Sequence, residues 1–161
     1  MPNPFEIPLF RLGRTIVAIK PALVHAIGVE ALVFIADNFR LQGYQGRSFI
    51  PWAIQKKPNK PRPHKILILD RILINSFKSK DWSDYTIIST DSPYAQVHNE
   101  GSSGTVFSRS RMGTFGPSRP FIRNIPQRQF FPITDDDSPI LRENCERVIV
   151  RKVTEALPGQ S

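Results

Sequence analysis

Three adjacent residues, His98-Asn99-Glu100, carry the densest reactive chemistry in the chain. An imidazole beside a carboxylate can move protons, and His, Asn and Glu occur together in metal-dependent nucleases. Two considerations weigh against that use. Tyr94–His98 reads as a second, short strand after the turn at Asp91-Ser92-Pro93, and at its end successive side chains alternate faces, so His98 and Glu100 share a side and Asn99 opposes them. The other imidazoles, His25 and His64, lie in unrelated contexts and leave a metal short of ligands. The triplet is not read as catalytic, and no metal or other cofactor is expected.

A second constellation interleaves Arg109, Arg111, Arg119, Arg123 and Arg128 with Phe107, Phe115, Phe121, Phe130 and Phe131. Arginine neutralises phosphates and aromatic faces stack on bases, so contact with nucleic acid is physically sound. The same residue types are favoured at protein interfaces, and a loop that orders against a partner subunit is the preferred reading. Asp135-Asp136-Asp137 lacks the alternate spacing and distal glutamate of a calcium loop. Followed by Ser138-Pro139, it reads instead as a helix start, with acidic groups at the positive end of the helix dipole. The lysines and prolines between Lys56 and Lys65 read as a solvated basic loop. Cys145 is the single cysteine, which excludes an internal disulfide and a cysteine-based zinc site; in a helical context it reads as a small hydrophobe. There is no glycine-rich phosphate loop and no Gly-x-Ser-x-Gly elbow.

The elements that hold these groups follow from pattern. Fifteen prolines in 161 residues are too many for a helical bundle and imply long connections. Residues 1–20, with Pro2, Pro4 and Pro8, read as an extended arm with apolar Phe5, Ile7, Leu9 and Phe10. From Pro21, placed in a first helical turn, Ala22, Leu23, Ala26, Ile27, Ala31, Phe34, Ile35 and Phe39 recur at helical spacing. Asn38 is assigned outside that stripe. The stretch 43–64 reads as loop, Ile66–Phe77 as a buried segment that is helical from about Asp70, and Asp84–Thr90 as a strand. Residues 100–120 read as a mobile, basic loop, and Ile140–Leu157 as a C-terminal helix with Leu141, Cys145, Val148, Ile149, Val153, Ala156 and Leu157 on one side. The expected organisation is one domain over 21–157, with 158–161 as a tail. The longest apolar run, Ala22–Ala36, is interrupted by His25 and Glu30 and falls short of the ~20 residues that span a bilayer. With no signal-peptide pattern either, synthesis in the cytoplasm and no membrane partner are expected. The net charge of +8 favours acidic partners, nucleic acid among them.

Taken in order, Trp52 in Phe49-Ile50-Pro51-Trp52, the Pro/Lys/Arg stretch, Ile66–Phe77, the block Tyr94-Ala95-Gln96-Val97-His98-Asn99-Glu100-Gly101 and Arg128-Gln129-Phe130-Phe131 resemble the phage virion morphogenesis (tail completion) family of Mu-like and related tailed phages. The resemblance runs from about Phe39 to Phe131. It aligns Trp52, Leu73, Asn75, Ser76, Tyr94, Ala95, His98, Asn99, Glu100, Gly101, Arg128 and Phe130 with the family pattern. One departure is Asp70-Arg71-Ile72-Leu73, where relatives usually carry a glycine. The resemblance implies an α+β fold, with a long N-terminal helix packed on a small antiparallel sheet, a long basic loop and a C-terminal helix. It implies that the polar residues of Tyr94–Gly101 are structural, fixing a strand end and the turn at Gly101. It also implies a virion part rather than an enzyme, at tail completion or head–tail joining in the neck or tail end. Such a part would self-associate, commonly as a hexameric ring around the DNA channel, and would bind tail or head-connector proteins. The rival reading is a free DNA-binding protein using the Arg/Phe stretch.

Overall fold

In the computed structural model, residues 6–53, 67, 71–107, 120–134 and 137–157 are described; side chains before Gly13 and from Thr105 to Arg123 are not. The chain runs α1 (Glu6–Leu41), β1 (Gly43–Gln45), β2 (Phe49–Pro51), α2 (Ile72–Asn75), β3 (Phe77–Asp81), β4 (Thr86–Thr90), α3 (Ala95–Glu100), β5 (Ser102–Phe107), β6 (Pro120–Ile125) and α4 (Pro139–Ala156). This is an α+β architecture with a long N-terminal helix, small antiparallel sheets and a C-terminal helix.

The 36 residues of α1 make a rod about 54 Å long. Its inward face is written at i, i+3 and i+4: Val24, Ala31, Phe34, Ile35, Asn38 and Phe39 are buried, the last two completely. The expected extended arm is therefore overturned for residues 6–20, which are helical, and Pro21 lies inside the helix rather than at its start. Proline removes one helix hydrogen bond and its ring crowds the carbonyl four residues back, so the helix continues through Pro21 at a local cost. Reading across Pro21 also lengthens the apolar stretch. Gly13–Leu41, with mean hydropathy 1.8 in its best window, is long and apolar enough by length and composition to cross a membrane. That corrects the shorter run counted from Ala22. The C-terminal half of the helix carries the buried residues and is the spine for the other elements.

Those elements pair as three separate two-stranded antiparallel ribbons, β1–β2, β3–β4 and β5–β6, rather than as one sheet. β1–β2 and β5 occupy stretches read as loop, and β3 starts at Phe77, the last residue of the segment expected to be helical from about Asp70. That helix is cut to α2, one turn, closed by Ser76 Oγ donating to Leu73 O at 2.7 Å. β4 falls where a strand was expected. The segment Tyr94–His98 is helix α3, not strand. Ala95 N–H donates to Ser92 O and His98 N–H to Tyr94 O, so the turn at Ser92-Pro93 winds directly into a helix. α4 starts as its sequence indicates: Ser138 Oγ accepts from Leu141 N–H at 3.2 Å, with Pro139 in the first turn. Asp137 is spent on the preceding turn, accepting from Ile133 N–H, Thr134 N–H and Thr134 Oγ1; Asp135 and Asp136 lie outside the described residues.

α4 packs along α1. Ser138 Oγ donates to Gln45 O at 3.0 Å, beyond the C-terminal end of α1, and the charge of Glu30 is felt at Cys145. The two helices are thus antiparallel. β3–β4 lies on another side of α1, where Gly28 makes the approach possible: a Cβ there would sit 2.8 Å from Thr86 Oγ1 and 3.2 Å from Ser79 Cβ.

Candidate functional site

The aromatic centre of the molecule is Phe39, from the last turn of α1. Its ring lies 5.2 Å from that of Trp52, edge-on, and 5.3 Å from that of Phe130; Phe77 is 5.4 Å from Phe130. Ile35, Leu73 and Ala95 complete the buried cluster. Trp52, Leu73, Ala95 and Phe130 come from four separate regions of the sequence and meet here.

The segment Gln127–Phe131, which follows β6, crosses this centre without a strand partner. Buried backbone groups must still be paired, and side chains do it. Asn99 Oδ1 accepts from both Phe130 N–H and Phe131 N–H, each at 3.0 Å. Asn38 Nδ2 donates to Phe130 O at 3.1 Å, while Asn38 Oδ1 accepts from Gln45 N–H at 3.0 Å and Gln45 Nε2 at 3.2 Å. Trp52 Nε1 donates to Gln129 O at 2.8 Å. Arg128 N–H donates to His98 O at 2.7 Å. One irregular stretch is thereby bound to α1, to the chain after β2 and to α3.

The helical form of α3 makes this possible. Ala95 and Asn99 are i and i+4 on one face, so Ala95 enters the core where Asn99 reaches the crossing segment. A strand would also have put the two on one face, but about 13 Å apart instead of about 6 Å. His98 contributes its carbonyl and a half-buried ring, and exposed Glu100 accepts from Gln96 Nε2 at 3.4 Å. Gly101 ends the helix at φ 78° and ψ 167°, a region that side chains with a Cβ rarely occupy. A Cβ there would also stand 3.0 Å from Gln127 N. The groups of the triplet whose partners are named here hold backbone and a neighbouring side chain.

Other aligned residues lie further out. Ser76 Oγ is hydrogen-bonded to Thr90 Oγ1 as well as to Leu73 O. Asn75 and Tyr94 are exposed. Arg128 is 7% exposed, with a long contact from Nη2 to Ala53 O at 3.4 Å, and burial pulls its guanidinium below the usual arginine range. Beside Ser138 and Asp137, burial pushes the Tyr44 hydroxyl up to about 12.

The Arg/Phe stretch is only partly placed. Phe107 and Arg123 belong to β5 and β6, whose strands pair from Ser102↔Ile125 to Phe107↔Pro120. Arg109, Arg111, Phe115 and Arg119 lie in the intervening 108–119, outside the described residues. The mobile loop expected at 100–120 is thus corrected at its beginning, where β5 is regular structure.

Asn38 is the site residue that sequence reading missed. It was assigned off the apolar stripe, yet it follows Ala31 by seven residues and Phe34 by four, on the buried face. A polar residue at such a position signals a specific partner, and the partner is Phe130 O.

No curated protein and no solved structure shows significant similarity to the chain. The family model for phage virion morphogenesis matches residues 5–149 of the 161, spanning α1, the aromatic centre, the clamped segment and most of α4, and the chain belongs to the phage virion morphogenesis family.

Proposed function

We propose that the protein is a structural part of the virion that acts in tail completion or head–tail joining, as a subunit of a ring around the DNA channel. Virion morphogenesis is the family's role; the stage, the ring and the neck or tail-end location are the finer reading. The observation that carries it is the use made of the Tyr94–Gly101 block. Asn99, the His98 carbonyl and Gly101 serve to anchor the crossing segment, as a structural signature should. The β5–β6 ribbon supports it further. Among the described residues its two strands pair chiefly with each other, and they flank the part of the Arg/Phe stretch between Phe107 and Pro120; Arg128, Phe130 and Phe131 of that stretch belong to the clamped body.

Assembly proteins gain from such a division. A clamped body keeps its shape, while a basic, aromatic segment engages tail or connector proteins; weak contacts repeated around a closed ring become secure. The charge of +8 then serves a lumen that DNA passes through, or acidic neighbours. Subunits would assemble in the host cytoplasm and remain in the particle.

The test is electron microscopy of lysates from a phage lacking the gene, beside a complemented control. Filled heads accompanied by separate tails or tails of abnormal length are expected, with normal particles on complementation. Infectious particles of normal form without the gene would refute the proposal. The isolated protein would then be examined for tight DNA binding with a steep salt dependence, the mark of a free DNA-binding protein.

A further inference from the structure

The β3–β4 hairpin has two unlike faces. Phe77, Ser79, Ile88 and Thr90 are half-buried on the side that includes the core contacts. Lys78, Lys80, Ile87 and Ser89 are exposed on the other, with Lys80 opposite Ile87 and Lys78 opposite Ser89 in register. At the turn, Trp82 and Tyr85 are 48% and 54% exposed. Their rings are stacked, 6.1 Å apart and 19° from parallel, and Lys80 Nζ lies 4.9 Å from the centre of the Trp82 ring.

Folding does not require these rings to be outside. The turn is closed by the backbone, Trp82 N–H donating to Tyr85 O at 2.8 Å, and is tied to α1 by the Lys20–Asp84 and His25–Asp81 pairs. Half of a tryptophan and half of a tyrosine amount to roughly 200 Å² of aromatic surface, adjoining exposed Ile87. Tryptophan and tyrosine are the residues that dominate binding energy at protein interfaces. The charges are arranged with them. Lys78 is paired with Asp91 and Lys20 with Asp84, whereas Lys80 has no carboxylate partner among the described residues and rests against Trp82.

We propose that this face docks a neighbouring virion protein through a segment that places a carboxylate on Lys80 and an apolar side chain on Trp82, Tyr85 and Ile87. The inference rests on the assembly role given above and names a second contact surface, independent of the Arg/Phe stretch. A protein segment fits better than nucleic acid. A base needs an open ring face, and Trp82 already has Tyr85 stacked on it and Lys80 Nζ over its ring. A run of phosphates would also meet the carboxylates of Asp81, Asp84 and Asp91 around the hairpin. A single carboxylate directed at Lys80 meets a cation with no competing anion.

The test uses full-length protein in a phage deleted for the gene. Lys80→Glu and the double variant Trp82→Ala/Tyr85→Ala are supplied in trans beside wild type, and their thermal unfolding is compared to establish that each is folded. Losing a contact of this kind weakens binding by about 30-fold or more, so plating is expected to fall at least about tenfold for both variants. A photo-crosslinking residue in place of Tyr85 is expected to join, within assembled particles, a virion-protein peptide containing Asp or Glu. Plating of both variants at the wild-type level overturns the inference. So does a crosslink to DNA, a crosslink only to a peptide without a carboxylate, or no crosslink in intact particles. Particles that form normally without any copy of the gene would instead refute the assembly role itself.

Discussion

Replacing Asn99 with alanine tests the central structural claim, because one oxygen serves two backbone N–H groups. Phe130 is 2% exposed, so its N–H, once deprived of Asn99 Oδ1, has no water to turn to. An orphaned buried donor costs about 1–3 kcal/mol. Phe131 is half-buried, and its N–H can be partly rehydrated, adding about 1 kcal/mol. The expected loss is about 2–4 kcal/mol, a large part of the ~5–15 kcal/mol that holds a domain together. For a chain of this size it lowers the unfolding temperature by about 4–16 °C. Asn99→Asp is the control. It keeps the accepting oxygen, so at pH 7 it should lie within about 1 kcal/mol of wild type. The two donors favour the charged carboxylate and depress its folded pKa. Its contribution is therefore present above the unfolded value of about 3.9 and lost as pH falls below it. Urea unfolding gives the energies, and amide exchange at Phe130 and Phe131 locates them. An Asn99→Ala variant that unfolds at the wild-type urea midpoint, with unchanged protection at Phe130, would falsify the clamp.

Four further outcomes follow from the same structure. Trp52→Phe keeps an aromatic ring beside Phe39 but loses the bond from Nε1 to Gln129 O, and should cost about 1–2 kcal/mol by urea unfolding. Gly101→Ala forces a Cβ into the φ 78°, ψ 167° region, which is essentially glycine's alone, and towards Gln127 N; a loss of about 1–3 kcal/mol by urea unfolding is expected, and Gly101→Asn should bring no relief, because its preference is for the left-handed helical region. Pro21→Ala restores a helix-interior N–H at an exposed position of α1 and should raise the melting temperature, the ceiling being about 3 kcal/mol. Acid sensitivity should trace to Asp81, held below the usual carboxylate range chiefly by His25, and to Asp137, held there chiefly by Thr134. Both contributions are present above the unfolded carboxylate range and lost as pH falls below it. Asp137→Asn should flatten the fall in unfolding midpoint between neutral and acid pH.

The parts legible in the sequence are those whose partners are local. α4 is announced by Ser138-Pro139 and an apolar side at helical spacing, and β4 by Tyr85-Thr86-Ile87-Ile88-Ser89; each needs only its own residues and a surface to lie on. α3 is not legible in this way. Over six residues, alternation and helical spacing cannot be told apart, and what decides is tertiary: Ala95 must reach the core while Asn99, four residues on, reaches the Phe130 backbone beside it, a spacing of about 6 Å that a helix provides and a strand does not. Roughly the first four turns of α1, residues 6–20, were hidden by the prolines around them; Pro8 and Pro21 are breakers by local rule and are tolerated here in a helix that the rest of the chain is built on, while Pro2 and Pro4 lie outside the described residues. β1, β2 and β3 are three to five residues each, too short for periodicity to register. The aligned residues of the site were visible as a pattern, but their common purpose was not, since the crossing segment that unites them has no regular structure of its own.

That irregular segment explains why the site is scattered over ninety residues. A strand in a sheet would draw its hydrogen bonds from one neighbour, and a single ladder would position it. Gln127–Phe131 has no ladder, so its acceptors and donors are supplied one at a time by Asn38, Trp52, His98 and Asn99. Each supplier is itself fixed by a different element, so loosening any one should loosen the whole crossing. Double-variant cycles between Asn38→Ala and Asn99→Ala should therefore show coupling of about 0.5–3 kcal/mol, although the two residues bind Phe130 from opposite sides of its peptide unit. Lys80, Trp82 and Tyr85 take no part in this network. Their substitutions should leave the urea midpoint in place and change only plating, whereas Asn38 and Asn99 substitutions should move both together. Strict additivity of Asn38→Ala and Asn99→Ala would mean that the segment is held by independent bonds, and the argument for a single cooperative clamp would fail.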